Sequence, residues 1–278
     1  MKTREPAVAG TFYPASTTEL TEMLDKLLQI EKGKIKSELS EKTILGGIIP
    51  HAGYKYSGYE SVQFFEILHQ DFKVFFDTIF ILNPNHHGLG PEIAVDDNDF
   101  WKTPLGEVPV DLEMRDALAF PLSADAHKIE HSGEVIVPFL QKFLDYDFKI
   151  LPISYLRQDP EKSIEIAERI IEVNKVLNKK ILLLASSDFS HDIDPVIGEK
   201  KDKKIIEKIL DLNVEGVYSE IKETNATVCG CGPIMTLMHY TLKVADNPQV
   251  KLLSFGNSAK SHKSSEVVDY ASLLFHDG

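Results

Sequence analysis

Apolar residues along this chain follow two rhythms. Short apolar runs at 44–49, 78–82, 148–153, 180–185 and 251–255 have the length of buried strands and are too short for helices. Between them apolar positions recur at helical spacing. Ser16-Thr17-Thr18-Glu19 fits a capping box, in which the first and fourth side chains satisfy free amides at a helix start. A helix is therefore predicted from Ser16, with Leu20, Met23, Leu24, Leu27 and Leu28 on one stripe and Gly33 as its stop. Further helices are predicted at about 57–70, 160–177, 200–212 and 233–244. The last has Pro233 in the first helical position, where a missing N–H is no loss. Glu130-His131-Ser132 opens another, whose apolar side is Val135, Ile136, Phe139, Leu140 and Phe143. The stretch from Trp101 to Gly106 reads as a turn at a strand boundary. Strands alternating with helices predict an α/β fold with a largely parallel central sheet and helices on both faces. No repeat, low-complexity tract or linker interrupts the pattern, so a single domain over 1–278 is expected.

Charge removes several classes of partner. The formal net charge is -13, which repels phosphate backbones, so no nucleic-acid partner is expected. The lysine-rich stretch 200–204 is interrupted by Asp202 and reads as the solvated face of a helix. The first six residues lead into no apolar core of a signal peptide. The most apolar region, 72–82, is broken by Lys73 and Asp77 and falls well short of the ~20 residues that span a bilayer, so no membrane partner is expected. Cys229 and Cys231, separated by one glycine, make no disulfide framework. Together these features predict a cytoplasmic protein.

Function in open α/β sheets collects in loops leaving the carboxyl ends of strands. Three predicted strands run directly into such turns: Pro50-His51-Ala52-Gly53-Tyr54, Asn83-Pro84-Asn85-His86-His87-Gly88 and Ser186-Ser187-Asp188-Phe189-Ser190-His191. A lone histidine there could simply satisfy backbone groups. Four of the ten histidines at one expected sheet edge instead predict a shared pocket. Neutral imidazole is a ligand of Zn, Cu, Fe and Ni, so converging histidines point to a transition metal. Asp188 is placed either to ligate or orient a histidine or to cap the turn. Cys229-Gly230-Cys231-Gly232-Pro233 precedes a helix N-terminus, whose positive end favours a thiolate. Cys229 is the functional candidate of the two cysteines, and Cys231 the packing one. His131 and Glu130 either join the pocket or cap a helix. His69, His127, His239, His262 and His276 have no companion residues and are expected to be structural.

These pieces, in this order, resemble the Memo family, also called AmmeMemoRadiSam system protein B. The matching segments begin with Arg4-Glu5-Pro6-Ala7-Val8-Ala9-Gly10-Thr11-Phe12-Tyr13 and Pro50-His51-Ala52-Gly53-Tyr54. They continue through Asn85-His86-His87, Thr103-Pro104-Leu105, Glu130-His131-Ser132, the Ser186–His191 turn, and Cys229-Gly230 with Pro233-Ile234. The resemblance implies a fold like that of class III extradiol dioxygenases and a pocket built from His51, His86, His191 and Cys229. In those dioxygenases two histidines and a carboxylate hold iron; here Cys229 takes the carboxylate's place. A softer thiolate shifts preference toward copper or zinc and away from ring cleavage.

The leading expectation is a metal-dependent redox enzyme, an oxidoreductase in which His51, His86 and Cys229 hold copper or iron. His191 then serves as general acid/base or as a fourth ligand, and Asp188 orients an imidazole. Tyr54, His87, His131 and Glu130 are further pocket candidates. One alternative is a non-catalytic module binding an anionic or phosphorylated peptide or small ligand. Another is a zinc-dependent hydrolase. No nucleotide cofactor is expected, and the family name implies a functional link to a radical-SAM protein.

Overall fold

A computed structural model describes residues 1–71 and 73–278; Phe72, the first residue of the apolar region 72–82, lies outside them. The chain runs β1 (Thr3–Arg4), α1 (Thr17–Glu31), β2 (Thr43–Ile49), α2 (Tyr54–His69), β3 (Thr78–Pro84), β4 (Ile93–Val95), β5 (Phe100–Thr103) and β6 (Gly106–Pro109). It continues through α3 (Leu112–Leu118), α4 (Asp125–Lys128), α5 (Val137–Phe143), β7 (Lys149–Tyr155), α6 (Pro160–Leu177) and β8 (Ile181–Ser186). The last elements are α7 (Pro195–Leu210), α8 (Val214–Thr224), α9 (Cys231–Val244), β9 (Pro248–Asn257) and β10 (Asp269–Asp277).

Seven strands form the main sheet in the order β4-β7-β3-β8-β2-β10-β9. The four central strands β7, β3, β8 and β2 are parallel. β4 closes one side antiparallel, and β10 and β9 close the other antiparallel. The sheet is thus mixed, with the predicted parallel strands as its core and antiparallel strands at both edges. The 251–255 run belongs to edge strand β9, which folds back onto β10. β10 has no clean apolar run in the sequence because Asp269, Ser272 and His276 interrupt its pattern, although all three are buried. A separate three-stranded sheet, β1-β5-β6, carries the predicted turn after Trp101.

Helices cover both faces, as two consecutive glycines of β2 make plain. A Cβ on Gly46 would lie 2.6 Å from Leu237 of α9, and one on Gly47 would lie 2.3 Å from Phe64 of α2. Successive residues of a strand face opposite ways, so α9 and α2 press on opposite sides of the same strand. Local chemistry sets the helix starts. Ser16 Oγ accepts the Glu19 amide at 3.4 Å before α1, and Asp159 accepts the Lys162 amide at 2.8 Å before α6. α7 begins at Pro195, earlier than predicted, because Asp194 caps the Val196 and Ile197 amides. α9 begins at Cys231, so Pro233 is its third residue, still among the positions without an intrahelical amide partner. The helix predicted from Glu130 instead begins after a 3-10 turn at Glu134–Ile136. α8 was not predicted. Among the described residues no helix is long and apolar enough to cross a membrane.

The N-terminal segment is fixed by one buried ion pair. Arg4, 3% exposed, lies over the Trp101 ring at 4.3 Å. Its guanidinium donates to the carbonyls of His127 (2.6 Å) and Glu130 (2.7 Å) and to Glu134 Oε2 (2.7 Å). Glu134 also accepts the amides of Ala7 and Val8 and the Tyr13 hydroxyl, at 2.8, 3.0 and 2.6 Å. Removing one member of such a pair leaves a buried charge uncompensated. Arg4→Met is expected to lower the unfolding free energy by about 3–5 kcal/mol in urea titrations. A loss near zero would show that the pair does not hold the segment.

Candidate metal centre

The parallel strands β3, β8 and β2 are neighbours, so their carboxyl ends discharge into one corner of the molecule. His51 follows β2, His86 follows β3, and Asp188 and His191 follow β8. His131 enters the same corner from the segment between α4 and α5. Among the described residues, His51, His86 and His131 form a set of three whose potential ligand atoms all lie within 4.8 Å of one another. The His86 and His131 rings stack at 4.7 Å, and both meet His51 edge-on, at 5.2 and 5.4 Å.

Hydrogen bonds decide which nitrogen each ring presents. Ser186 Oγ donates its single proton to the Ser132 carbonyl at 2.7 Å, so it accepts from His51 Nδ1 at 2.8 Å. His86 Nδ1 donates to Glu130 Oε1 at 2.9 Å, and His131 Nδ1 lies 3.4 Å from the same oxygen. The Nε2 atoms of His51 and His86 are thereby left with free lone pairs facing the corner. Burial pushes Glu130 up, but the hydrogen bonds and electrostatic pull of His86 and the hydrogen bonds of Ser132 outweigh it and hold the carboxyl well below the usual range. Burial, reinforced by the neighbouring imidazoles His131 and His86, drops His51 well below an ordinary histidine. Burial also lowers His131 to about 4, against the pull of Glu130. Both rings are neutral at neutral pH, the form that ligates.

Asp188, Cys229 and His191 form the other side of the corner. Asp188 Oδ1 accepts the His51 amide at 2.7 Å, and its Oδ2 is 3.9 Å from His51 Nε2. Burial raises this carboxyl to about 6, although the His51 amide and the nearby His191 imidazole oppose the rise. Cys229 lies outside the three-histidine set; its Sγ is 3.3 Å from His191 Nε2. His191 Nδ1 is 3.0 Å from the Thr227 carbonyl, which can only accept, so Nδ1 carries a proton; when that is the ring's one proton, Nε2 accepts a hydrogen bond from the thiol. The thiol was expected to be acidified by the helix start. Burial and then the Asp188 charge instead push it well above the ordinary value.

These residues line a cavity of about 690 Å³. The structure brings His51 and His86 together, adds His131, and pairs Cys229 with His191. Two pocket candidates fall elsewhere. Tyr54 is buried in the core, donating to the Val135 carbonyl at 2.6 Å and packing on Phe139, because the first turn of α2 rotates it inward. Its neighbour Tyr56 lines the cavity instead. His87 is exposed on the outer side of its turn and is not among the lining residues. His262, expected to be structural, lies on the cavity wall with Ser258, Glu266 and Val267, on the connection between β9 and β10. Phe12 closes over His131 at 4.8 Å between ring centroids. Neither residue has a local pattern that marks it. Only the folding of the N-terminal segment and the β9–β10 connection onto the corner brings them there.

Comparison with known proteins agrees with this architecture. The crystal structure of the uncharacterized protein JW3007 from Escherichia coli K12 superposes with a TM-score of 0.54. That match covers 84% of this chain and 100% of that one at 11% identity, a likeness of fold alone. A MEMO1 family protein of Methanosarcina barkeri is 38% identical over 275 residues, covering 98% of this chain and 99% of the relative. A MEMO1 family protein of Archaeoglobus fulgidus is 36% identical over 275 residues, with the same coverage. The Memo-like protein family model matches residues 4–274, which include the Arg4 anchor, every histidine of the corner and Cys229. On this near-complete match, and on relatives spanning the full domain, the chain belongs to the Memo-like protein family.

Proposed function

We propose that His51, His86 and His131 hold one transition-metal ion, copper or iron, and that the pocket carries out metal-dependent redox chemistry on a small molecule or peptide. The observation that carries this reading is the mutual approach of three histidines within 4.8 Å. The donor set fits such a metal. The imidazoles are borderline ligands, two are held neutral by burial, and three protein nitrogens leave positions for substrate. A bound copper or iron ion would supply one-electron chemistry that side chains alone cannot. Cys229, an oxidisable thiol facing the same cavity, favours redox work over hydrolysis.

The remaining groups manage protons and water. Asp188, raised to about 6, is suited to take a proton from a ligand seated beside His51. His191 can receive the Cys229 proton at Nε2 while Thr227 holds its other nitrogen. Phe12 and Tyr270 wall the cavity with apolar surface. The elevated Asp188 also favours a second reading, zinc-dependent hydrolysis, in which that carboxylate acts as the base for a metal-activated water. The anion-binding alternative is less well supported, because its cradle requires protonated imidazoles where His51 and His131 are held neutral.

Metal titration of tag-free protein tests the ligand set. One ion per chain is expected, with binding lost in His51→Ala and in His131→Ala and retained within about tenfold in Cys229→Ala. Retention in His131→Ala with loss in Cys229→Ala would move the set to His51, His86 and Cys229. Glu130→Gln is expected to weaken binding about 10–100-fold by releasing the rings it orients. Turnover with oxygen uptake supported by copper or iron but not by zinc would favour redox chemistry, and zinc-supported turnover without oxygen uptake would favour hydrolysis.

The neutral histidines also set the response to acid. His51 and His131 have folded pKa values below their unfolded ones, so the unfolded chain takes up their protons first. Stability is expected to fall as pH drops from the ordinary value of 6.5 through about 4. In urea unfolding as a function of pH, His131→Gln should show a shallower fall over that window. An unchanged slope would mean His131 is not held neutral.

A further inference from the structure

Beneath the loop that carries Asp188 and His191 lie two carboxyl groups that the metal chemistry leaves unused. Asp202 on α7 and Asp269 at the start of β10 are both fully buried. Asp202 is committed to the loop: Ser190 donates its amide to Oδ2 at 3.1 Å and its hydroxyl to Oδ1 at 2.7 Å. Asp269 grips the same loop through its backbone, its carbonyl accepting the Phe189 amide and its amide donating to the Ser190 carbonyl, both at 2.9 Å. The Ile193–Val267 bridge continues this pairing beyond the loop. Asn257 of β9 lies close to the Asp269 carboxyl, but among the described residues neither of its oxygens has a well-formed hydrogen-bond donor. Its one strong partner is the Asp202 carboxyl, within hydrogen-bonding reach.

The site is shaped for that carboxyl. A Cβ on Gly198 of α7 would lie 2.6 Å from Asp269 Oδ2, so the helix comes this close only because residue 198 is glycine. Among the described residues neither Asp202 nor Asp269 forms an ion pair with a lysine or arginine, and none is among the strongest influences on either carboxyl. Glu199 and Asp202 of α7, Asn257 of β9 and Tyr270 of β10 face Asp269, and His191 acts on Asp202 from the loop. Two buried carboxylates with no cation between them cannot both be ionised; a carboxylic acid donating to a carboxylate satisfies both.

We propose that Asp202 and Asp269 share one proton and serve as positioning residues that hold the Ser187–His191 loop, so that the order of the pocket wall bearing Asp188 and His191 depends on that proton. Asp269, the member with the weaker set of donors, keeps the proton and gives it to Asp202, which remains free to accept both Ser190 hydrogens. Burial and the adjacent Asp202 charge push Asp269 up to about 8. For a carboxyl with a raised folded pKa, the stabilisation is complete below the ordinary carboxylate value. It is then lost progressively as pH rises to the folded value. The loop is therefore held most firmly in mild acid and loosens toward pH 8. This inference stands apart from the metal reading, since neither carboxyl touches a histidine of the triad.

The test uses the intact chain without added metal. Carboxyl-carbon NMR of aspartate-labelled protein follows the titration of Asp269, and amide hydrogen exchange follows Phe189, Ser190 and Asp269. Asp269 is expected to titrate near 8. After correction for intrinsic rates, the opening of those amides should rise by up to about tenfold per pH unit between the ordinary carboxylate range and that value, then level off. Asp269→Asn supplies an amide donor to Asp202 that does not titrate. It should keep the amides protected and abolish the slope, which a purely structural role for residue 269 would not do. An Asp269 carboxyl that titrates at or below the ordinary range, or an equal slope in Asp269→Asn, overturns the proposal. Should the variant fail to fold, the wild-type carboxyl titration decides alone.

Discussion

Three imidazoles meet in one corner edge-on and stacked, and the orientation of each ring depends on the acceptor that its Nδ1 finds outside the cluster. Glu130 is that acceptor for His86 and lies against His131, while Ser186 is the acceptor for His51. A buried carboxylate then needs donors of its own, which the His86 amide and Ser132 supply. The Glu130 carbonyl is fixed in turn by Arg4, whose charge is balanced by Glu134. The histidine corner is thus the inner end of a chain of polar contacts that begins at the fourth residue. Apart from the exposed His86, each link is buried or half-buried, so loss of an inner one leaves an uncompensated group.

The sheet supplies the convergence that these contacts refine. Parallel neighbours end at the same edge, so β3, β8 and β2 place residues 35 or more positions apart in sequence within one cavity. The antiparallel strands have another role. β9 and β10 are joined by the connection that forms the outer cavity wall, and β10 pairs its first residue with the loop after β8. The mixed topology therefore bears on function, because an entirely parallel sheet would offer neither the wall nor the brace.

Burial acts on the ionisable groups in opposite directions and to one effect. It lowers His51 and His131 and raises Asp188, Asp269 and Cys229, in each case favouring the neutral form. Glu130 is the exception, since its donors outweigh desolvation. The result is a corner with lone pairs available for ligation and protons that can be moved, next to a single firmly ionised carboxylate.

The sequence by itself determined what depends on neighbours along the chain. The apolar runs located β2, β3, β7 and β8, the Ser16 cap placed the start of α1, the helical period placed α6, and histidines after three strands marked the edge where the site lies. The ordered motifs also carried the family resemblance. Polar residues inside β10 hid it, since a buried Ser272 or His276 has no signature apart from the partners around it. The tertiary structure alone decided that His131 joins His51 and His86, that Tyr56 faces the cavity while Tyr54 faces the core, and that Cys229 meets His191. It also set the protonation of the thiol, because a helix start visible in sequence favours the thiolate, whereas the burial and the Asp188 charge that oppose it exist only once distant segments pack together.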